Sequence, residues 1–487
     1  MRKFLQIFFT LSALFFFRDG FAQTDNIEKT PPLSSVQDSS LKLYINNIII
    51  TGNKKTKFYI IEREIPFKKG DSIITSKLYS QLEEARRLIY NINLFTEVKV
   101  QAIIITANAI DVKVDVKERW YIFPTPQFKW VDRNFNDWVK TYKASLKRVN
   151  YGIKFLHYNL TGRKDQLRVF LLNGYSRNIS FSYIAPYSNK ALTEGFVIGA
   201  GFTQNREMAY KTSYDNKLLF YPQDALKKLN GDFVSNNFNI NAGYTIRKGY
   251  YVRHIFSAAY IHQKISDSIL LPTYNPTYFY RQKSSLSYID IGYAYQYQDV
   301  NNVNYATKGR ATFIALTKRG VGFSGGINML ALEAGYSKYF DLSKKWYSSV
   351  GIAGKIKIPF KQAFINRRGL GYGDSYLRGL EYYVIDGVAT IYVRPTIKKQ
   401  IANFKIPLPF KSKSHPYIPF TIFAKTYADA GYVYSQKQFE TKLSNRLLYT
   451  GGFGIDILTL YDVNLRIEYS FNQLGEKGLF LHTQNGF

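Results

Sequence analysis

Few of the 487 residues have the types and spacing that covalent chemistry requires. The chain has no Cys, so it offers no thiolate nucleophile, no disulfide framework and no Cys-ligated zinc. Its His are few and dispersed. His254 and His262 share one strand parity, but the strand between them spans about 26 Å, too far for both to hold one metal ion. The segment Gly320-Val321-Gly322-Phe323-Ser324-Gly325-Gly326 contains both G-x-G-x-x-G and G-x-S-x-G. Either motif acts only where a strand runs into a helix, as a phosphate cradle or a nucleophile elbow. Here it joins two alternating segments and reads as an exposed glycine-rich loop. Asn159-Leu160-Thr161 matches a glycosylation acceptor, a three-residue pattern that also arises by accident and by itself marks no site. No catalytic constellation, metal site or cofactor site remains, and the chain is expected not to be an enzyme.

The composition points to a different kind of work. Lys and Arg exceed Asp and Glu by 31, aromatics make up 17% of the chain, and mean hydropathy is −0.23. Past the N-terminus no apolar run of about 18 residues offers a membrane-spanning helix. Met1-Arg2-Lys3, the mostly apolar stretch from Phe4 to Phe17, and Gly20-Phe21-Ala22 have the layout of a secretory signal at 1–22. Residues 23–40 have the composition of a linker. Within 41–118, Leu43 to Ile50 reads as a strand closed by Gly52-Asn53, and Lys57 to Glu64 as a short helix. Leu78, Leu82, Ala85 and Ile89 form the buried stripe of a second helix, and Val98 to Ile105 with Ile110 to Val116 form a closing hairpin. The order β-α-α-β-β describes one small α+β domain.

From about residue 147 onward the residues alternate. Ile289, Ile291, Tyr293, Tyr295 and Tyr297 oppose Asp290, Gly292, Ala294, Gln296 and Gln298, and Val463, Leu465, Ile467, Tyr469 and Phe471 oppose Asp462, Asn464, Arg466, Glu468 and Ser470. A soluble sandwich also alternates, but segments of about 9 to 11 residues match a tilted outer-membrane strand. Lys or Arg facing lipid at mid-depth costs about 2 to 4 kcal/mol, so charges must keep to the lumen. Segments beginning near 147, 166, 178, 194, 211, 236, 252, 286, 309, 328, 348, 387, 420, 447, 462 and 479 predict sixteen strands. An even count lets a barrel close, leaving no backbone edge in hydrocarbon. The expected class is therefore mainly β: a sixteen-stranded antiparallel transmembrane β-barrel over 147–487, reached by a connector at 119–146 and preceded by the α+β domain.

Several local patterns carry a family resemblance. Ile48-Ile49-Ile50-Thr51-Gly52-Asn53, Gly70-Asp71, Leu94-Phe95-Thr96-Glu97-Val98 and Val114-Asp115-Val116-Lys117-Glu118 together resemble the polypeptide-transport-associated (POTRA) domain. Leu377-Arg378-Gly379-Leu380 resembles the folded-in loop of BamA/TamA-type outer-membrane proteins, whose motif is an aliphatic residue, Arg, Gly and an aromatic. Leu380 departs from it, with Tyr382 two positions on. Tyr427-Ala428-Asp429-Ala430-Gly431 is similar to the family's inward Asp followed by Gly. The resemblance implies that Arg378 pairs with Asp429 and that Leu377, Gly379 and Gly431 help lock the loop. By alternation Lys425, Asp429 and Gly431 share one face, so Asp429 can point into the lumen. A buried pair would hold the loop by about 1.5 to 3 kcal/mol, an exposed one by about 0 to 1. Asn159 to Arg163 with Gln166, and Tyr183 to Tyr187, resemble the family's first hairpin and the end of its third strand. The last ten residues, with Leu479, Leu481 and Phe487, resemble the assembly signal of outer-membrane barrels.

The resemblance implies a protein of the bacterial outer membrane, its POTRA domain in the periplasm, that inserts or translocates unfolded outer-membrane or secreted client proteins without nucleotide or cofactor. Periplasmic accessory proteins are further expected partners. In the family the first and last strands meet at a weak seam, here Arg148 to Tyr158 against Leu479 to Phe487, where a client strand exchanges in. A client can also add to the POTRA sheet edge, with Val98, Val100 and Ile103 as the candidate docking residues. Two other functions stay open: a two-partner-type secretion pore, whose members usually carry two POTRA domains, and a passive porin or structural barrel. The positive charge does not point to nucleic acid, because no stacking module or basic helix accompanies it. Outer-membrane lipid and glycolipid phosphates are the expected anionic partners, at Arg163-Lys164, Lys227-Lys228, Lys318-Arg319 and Arg367-Arg368 in predicted extracellular loops, which fit ordinary solvated loops equally well. The insertions 221–236, 264–285 and 396–418 have no assigned role.

Overall fold

The computed structural model describes residues 41–130, 148–222, 232–322, 325–408 and 416–484. The signal and linker expected at 1–40, Lys227-Lys228 and Phe487 lie outside the described residues. The N-terminal domain runs β1 (Lys42–Thr51), α1 (Phe58–Glu62), β2 (Ser72–Ile74), α2 (Thr75–Tyr90), β3 (Phe95–Thr106) and β4 (Ala109–Glu118). Its sheet order is β2-β1-β4-β3, with β1 parallel to β4 and the β3–β4 hairpin antiparallel. The predicted stripe of α2 is buried at Leu78, Ala85 and Ile89 and partly buried at Leu82, against Ile45, Phe95, Val98, Ile110 and Val112. Only β2 had no signal in the sequence, because three residues are too few to show an alternation.

The barrel sheet starts earlier than expected. The segment read as a connector contains β5 (Ile122–Trp130), which pairs with β6 (Val149–Tyr158) from Ile122↔His157 to Trp130↔Val149. Pro124 and Pro126 hide this strand from a pattern reading. Proline is tolerated on an edge strand because a missing N–H there need not break a ladder. β7 (Gln166–Gly174), β8 (Ser176–Ala185) and β9 (Glu194–Asn205) follow. The segment near 211 is then not a barrel strand: β10 (Met208–Thr212) and β11 (Leu218–Tyr221) pair only with each other. The sheet resumes with β12 (Ser235–Lys248), β13 (Val252–Ile265), β14 (Ser285–Val300), β15 (Gly309–Val321), β16 (Met329–Asp341) and β17 (Trp346–Ile358). After the short pair β18 (Arg368–Leu370) and β19 (Ile385–Asp386) come β20 (Ala389–Pro407), β21 (Tyr417–Tyr434), β22 (Leu447–Leu458), β23 (Asn464–Asn472) and β24 (Lys477–Gln484). One strand gained and one lost leave sixteen in a single antiparallel sheet. From β12 onward each strand runs in the expected direction.

The two faces of the sheet are inverted relative to a soluble protein. Phe196, Tyr244, Phe256, Tyr293, Leu316 and Leu332 stand opposite one another across six consecutive strands, each between 36% and 45% exposed. Lys398, Lys425, Asp429, Asp456 and Glu468 on the other face are buried. Exposed apolar rows outside and buried charge inside are what a barrel in hydrocarbon needs. The sheet order ends at β5 and β24, and no ladder joins these two among the described residues. The Phe123 ring at the start of β5 lies 6.2 Å from Tyr461 in the β22–β23 turn, which brings the two ends of the sheet round toward each other.

The segment 396–418 is largely strand rather than an insertion. Beyond Lys399, β20 loses β17, and past Asn403 and Thr421 β20 and β21 pair only with each other, so a two-stranded ribbon projects past the sheet on the side of the N-terminal domain. Opposite that domain, the loops around β10, β11 and residues 266–284 bury Met208, Tyr210, Ile269, Phe279, Ile327 and Phe364 in a second core.

Candidate functional site

The segment between β17 and β20 turns into the lumen. Leu377 and Leu380 are buried there with Leu370, Ile385, Val433 and Leu448. Gly379 adopts φ +92°, and a Cβ on it would lie 3.0 Å from the Ser470 Cβ, so the turn needs glycine on both counts. The turn aims Arg378 at β21. Its backbone N–H and its Nε donate to Asp429 Oδ2 at 3.0 and 2.9 Å, and Nη2 donates to Oδ1. Nη1 donates to Thr396 Oγ1 at 3.0 Å, and the guanidinium lies 3.9 Å from the centre of the Tyr427 ring. A Cβ on Gly431 would sit 3.2 Å from Leu377 Cδ1, so the Asp-x-Gly spacing supplies an acceptor and then room for the leucine beside the arginine. Leu380 fills the buried apolar position where the family motif has an aromatic, whereas Tyr382 is 71% exposed.

A second polar layer, whose pairing the sequence did not reveal, surrounds this pair. Lys425 Nζ lies 2.5 Å from Asp456 and 2.7 Å from Glu468, and the Tyr305 hydroxyl donates to Asp456 at 2.7 Å. His482 Nε2 stands 3.4 Å from Glu381 on the plug and 3.5 Å from Glu468, tying the last strand to both. Alternation alone marks Glu468 as inward. Nothing local in sequence names its partner.

The N-terminal domain closes over one mouth of the barrel. Glu64 accepts from Arg247 Nη1 and Nη2, both at 2.6 Å, and from the Tyr187 hydroxyl at 3.1 Å. Arg119 Nη2 donates to Asp462 at 2.7 Å, Arg87 Nη1 to Asp299 at 2.6 Å, and Asn91 to the Val300 carbonyl at 2.9 Å. The domain's apolar core continues into Tyr121, Tyr158, Tyr187 and Leu192 of the barrel. Burial alone would raise the Glu64 carboxyl, but the hydrogen bonds and charge of Arg247, with Arg63 nearby, hold it below the ordinary carboxylate range. Burial, with Glu64 adjacent, pushes the Tyr187 phenol up to about 12. Arg163-Lys164 lies in the β6–β7 turn against this domain, where Lys57 N–H donates to the Gly162 carbonyl at 3.0 Å. It is therefore not an extracellular pair. The missed strand β5 had inverted the sidedness of every turn between β6 and β9, this one included. On the far side, Arg319 is paired with Asp290 at 2.8 Å and Arg367 lies 3.6 Å over Phe439, so neither is a free loop cation.

The seam expected at Arg148 to Tyr158 moves with the strand count, because the sheet ends are β5 and β24. Leu479 and Leu481 project outward from β24, 60% and 66% exposed. On the N-terminal domain, β3 is the outer strand of its sheet. Val98 is buried and Val100 packs against the core, so of the three candidate docking residues only Ile103 offers its side chain, next to exposed Ile104 and Ile105.

Residues 43–119 match the POTRA family model, described as surface antigen variable number repeat. No curated protein matches the chain. Among solved structures, CdiB from Escherichia coli is similar over 91% of this chain and 75% of its own, at 12% identity and a TM-score of 0.50. BamA from Haemophilus ducreyi lacking POTRA domains 1-3 is similar over 91% and 84%, at 15% identity and 0.47, and CdiB from Acinetobacter baumannii over 91% and 73%, at 14% and 0.44. A POTRA domain followed by a sixteen-stranded barrel is thus the architecture of this chain. At such identities the likeness to CdiB from Escherichia coli concerns the fold alone.

Proposed function

We propose that this POTRA-bearing barrel stands in the bacterial outer membrane, its POTRA domain in the periplasm, and helps unfolded outer-membrane or secreted proteins insert into or cross that membrane. The observation that carries the reading is the pair of sheet ends, β5 and β24, with no ladder between them among the described residues. An extended client segment can exchange water or seam contacts there for paired backbone groups, a trade that needs no nucleotide, cofactor or covalent step. Pro124 and Pro126 remove two donors from β5, which makes that end a poor permanent partner for β24. The free edge of β3 is the proposed first docking place. Its affinity would come from the backbone, since Val98 and Val100 serve the core.

The segment held by Arg378 and Asp429 turns into the lumen, where Leu377 and Leu380 are buried, and a segment lodged there favours lateral insertion over an axial secretion pore or a passive porin. Periplasmic accessory proteins are proposed partners, as is outer-leaflet glycolipid at exposed Arg368. Glycolipid binding should weaken with salt. The central test places a photo-reactive residue at Phe128 in β5, at Leu479 in β24, and at Ile291 in β14 as an equally outward control. Client proteins should be trapped at the first two positions. Equal trapping at Ile291 would sink the seam reading, and a large steady conductance in planar bilayers would favour the porin.

A further inference from the structure

The cavity between the POTRA domain and the barrel carries more positive charge than its carboxylate balances. It measures about 330 Å³ and is lined by Glu64 from the domain and by Lys164, Arg247 and Arg253 from three barrel segments. Arg247 commits Nη1 and Nη2 to Glu64, and its Nε is buried without a hydrogen bond. Arg63 also meets Glu64, at 3.2 Å. Glu64 is therefore shared by two guanidiniums. Among the described residues, neither the Lys164 ammonium nor the Arg253 guanidinium has a hydrogen bond or ion pair. Neighbouring cations in a partly dehydrated space are unfavourable without a counter-ion. Burial, and then Arg253, bring the Lys164 ammonium down to about 7, although Glu64 opposes the shift.

We propose that this cavity binds a phosphate group, held by Lys164, Arg253 and the free Nε of Arg247. Two uncompensated cations match the charge of a phosphate dianion, where a carboxylate would neutralise one. A guanidinium fork also fits phosphate oxygens. Gln166 and Gln296 line the same space and add neutral donors. Because the walls come from both the domain and the barrel, phosphate binds the docked arrangement and by mass action holds it. Free phosphate and a lipid headgroup present the same chemistry.

The test titrates the full-length protein, in phosphate-free detergent at constant ionic strength, with inorganic phosphate by calorimetry. Saturable binding is expected, weakened at least about tenfold by Lys164→Gln and by Arg253→Gln. Arg310→Gln, at an exposed barrel arginine, should leave it unchanged. At pH 7 the wild-type protein should take up more protons on binding than Lys164→Gln, because a phosphate beside Lys164, set among Arg253, Arg247, Arg63 and Glu64, favours its charged form. If inorganic phosphate is silent while dihexanoyl phosphatidic acid binds with the same two losses and dihexanoyl phosphatidylcholine does not, the source is a lipid head. No saturation with either phosphate, equal binding in all three variants, or binding only of a peptide carboxylate would overturn the assignment. Circular dichroism and heat-shifted gel mobility check each fold. Should Arg253→Gln fail to fold, Lys164→Gln in the turn carries the test.

Discussion

Truncating Arg378 to alanine would leave the Asp429 carboxylate, 2% exposed, with only the backbone N–H of residue 378 at 3.0 Å. The wild-type guanidinium contacts both carboxylate oxygens and reaches Thr396, and its own side chain is 9% exposed. Removing one partner of a buried pair costs about 3 to 5 kcal/mol, against about 0 to 1 for an exposed pair. Because Arg378 lines a polar cavity of about 250 Å³ with Thr396, Lys425 and Asp456, the lower end, about 3 kcal/mol, is expected. Asp429→Ala should cost a similar amount by stranding the arginine. The double variant removes both charges and should fall short of the sum of the singles by about 1 to 3 kcal/mol. Urea unfolding in phospholipid vesicles, followed by tryptophan fluorescence and heat-shifted gel mobility, measures all three. Arg310→Ala, at an exposed position, should stay within about 0.5 kcal/mol of wild type. Additive single-variant losses, or an equal loss in Arg310→Ala, would refute the pairing as the lock on the plug.

Three further outcomes follow from the same geometry. A carboxyl held below its ordinary value of 4.5 stabilises the folded state above that value, and the contribution is lost as pH falls through the folded value; the Glu64 junction should therefore loosen below about pH 4.5. Protease exposure of the POTRA domain should rise over that range in wild type and be high at every pH in Glu64→Gln. Gly431→Val should push Leu377 from its place at a cost of about 1 to 3 kcal/mol, seen as faster proteolysis of 361–386. Gly451→Ala, whose Cβ would meet nothing closer than 3.5 Å, should not. Leu316→Arg, outward and 42% exposed, should cost about 2 to 4 kcal/mol in vesicles if that face meets hydrocarbon, and almost nothing if it meets water.

Side-chain parity along a strand is local. The sequence alone therefore placed Glu468 inward and Phe471 outward, gave α2 its buried stripe, and put Asp429 and Gly431 on one face. The resemblance then named Arg378 as the partner of Asp429, and the geometry agrees. β5 escaped because two prolines break the strand signature that its edge position tolerates, and the β10–β11 hairpin was counted because it alternates as a barrel strand does. These two errors cancelled in the count but not in the seam, which moved from β6 to β5, nor in the turn at Arg163-Lys164, which changed sides. Partner choice lay further out of reach. Arg247 meets Glu64 across 183 positions and Arg119 meets Asp462 across 343. Which inward charge faces which depends on strand order, register and the docking of the domain on the barrel mouth. Those are properties of the folded assembly, and electrostatic pairing acts over ångströms in space, whatever the distance along the chain.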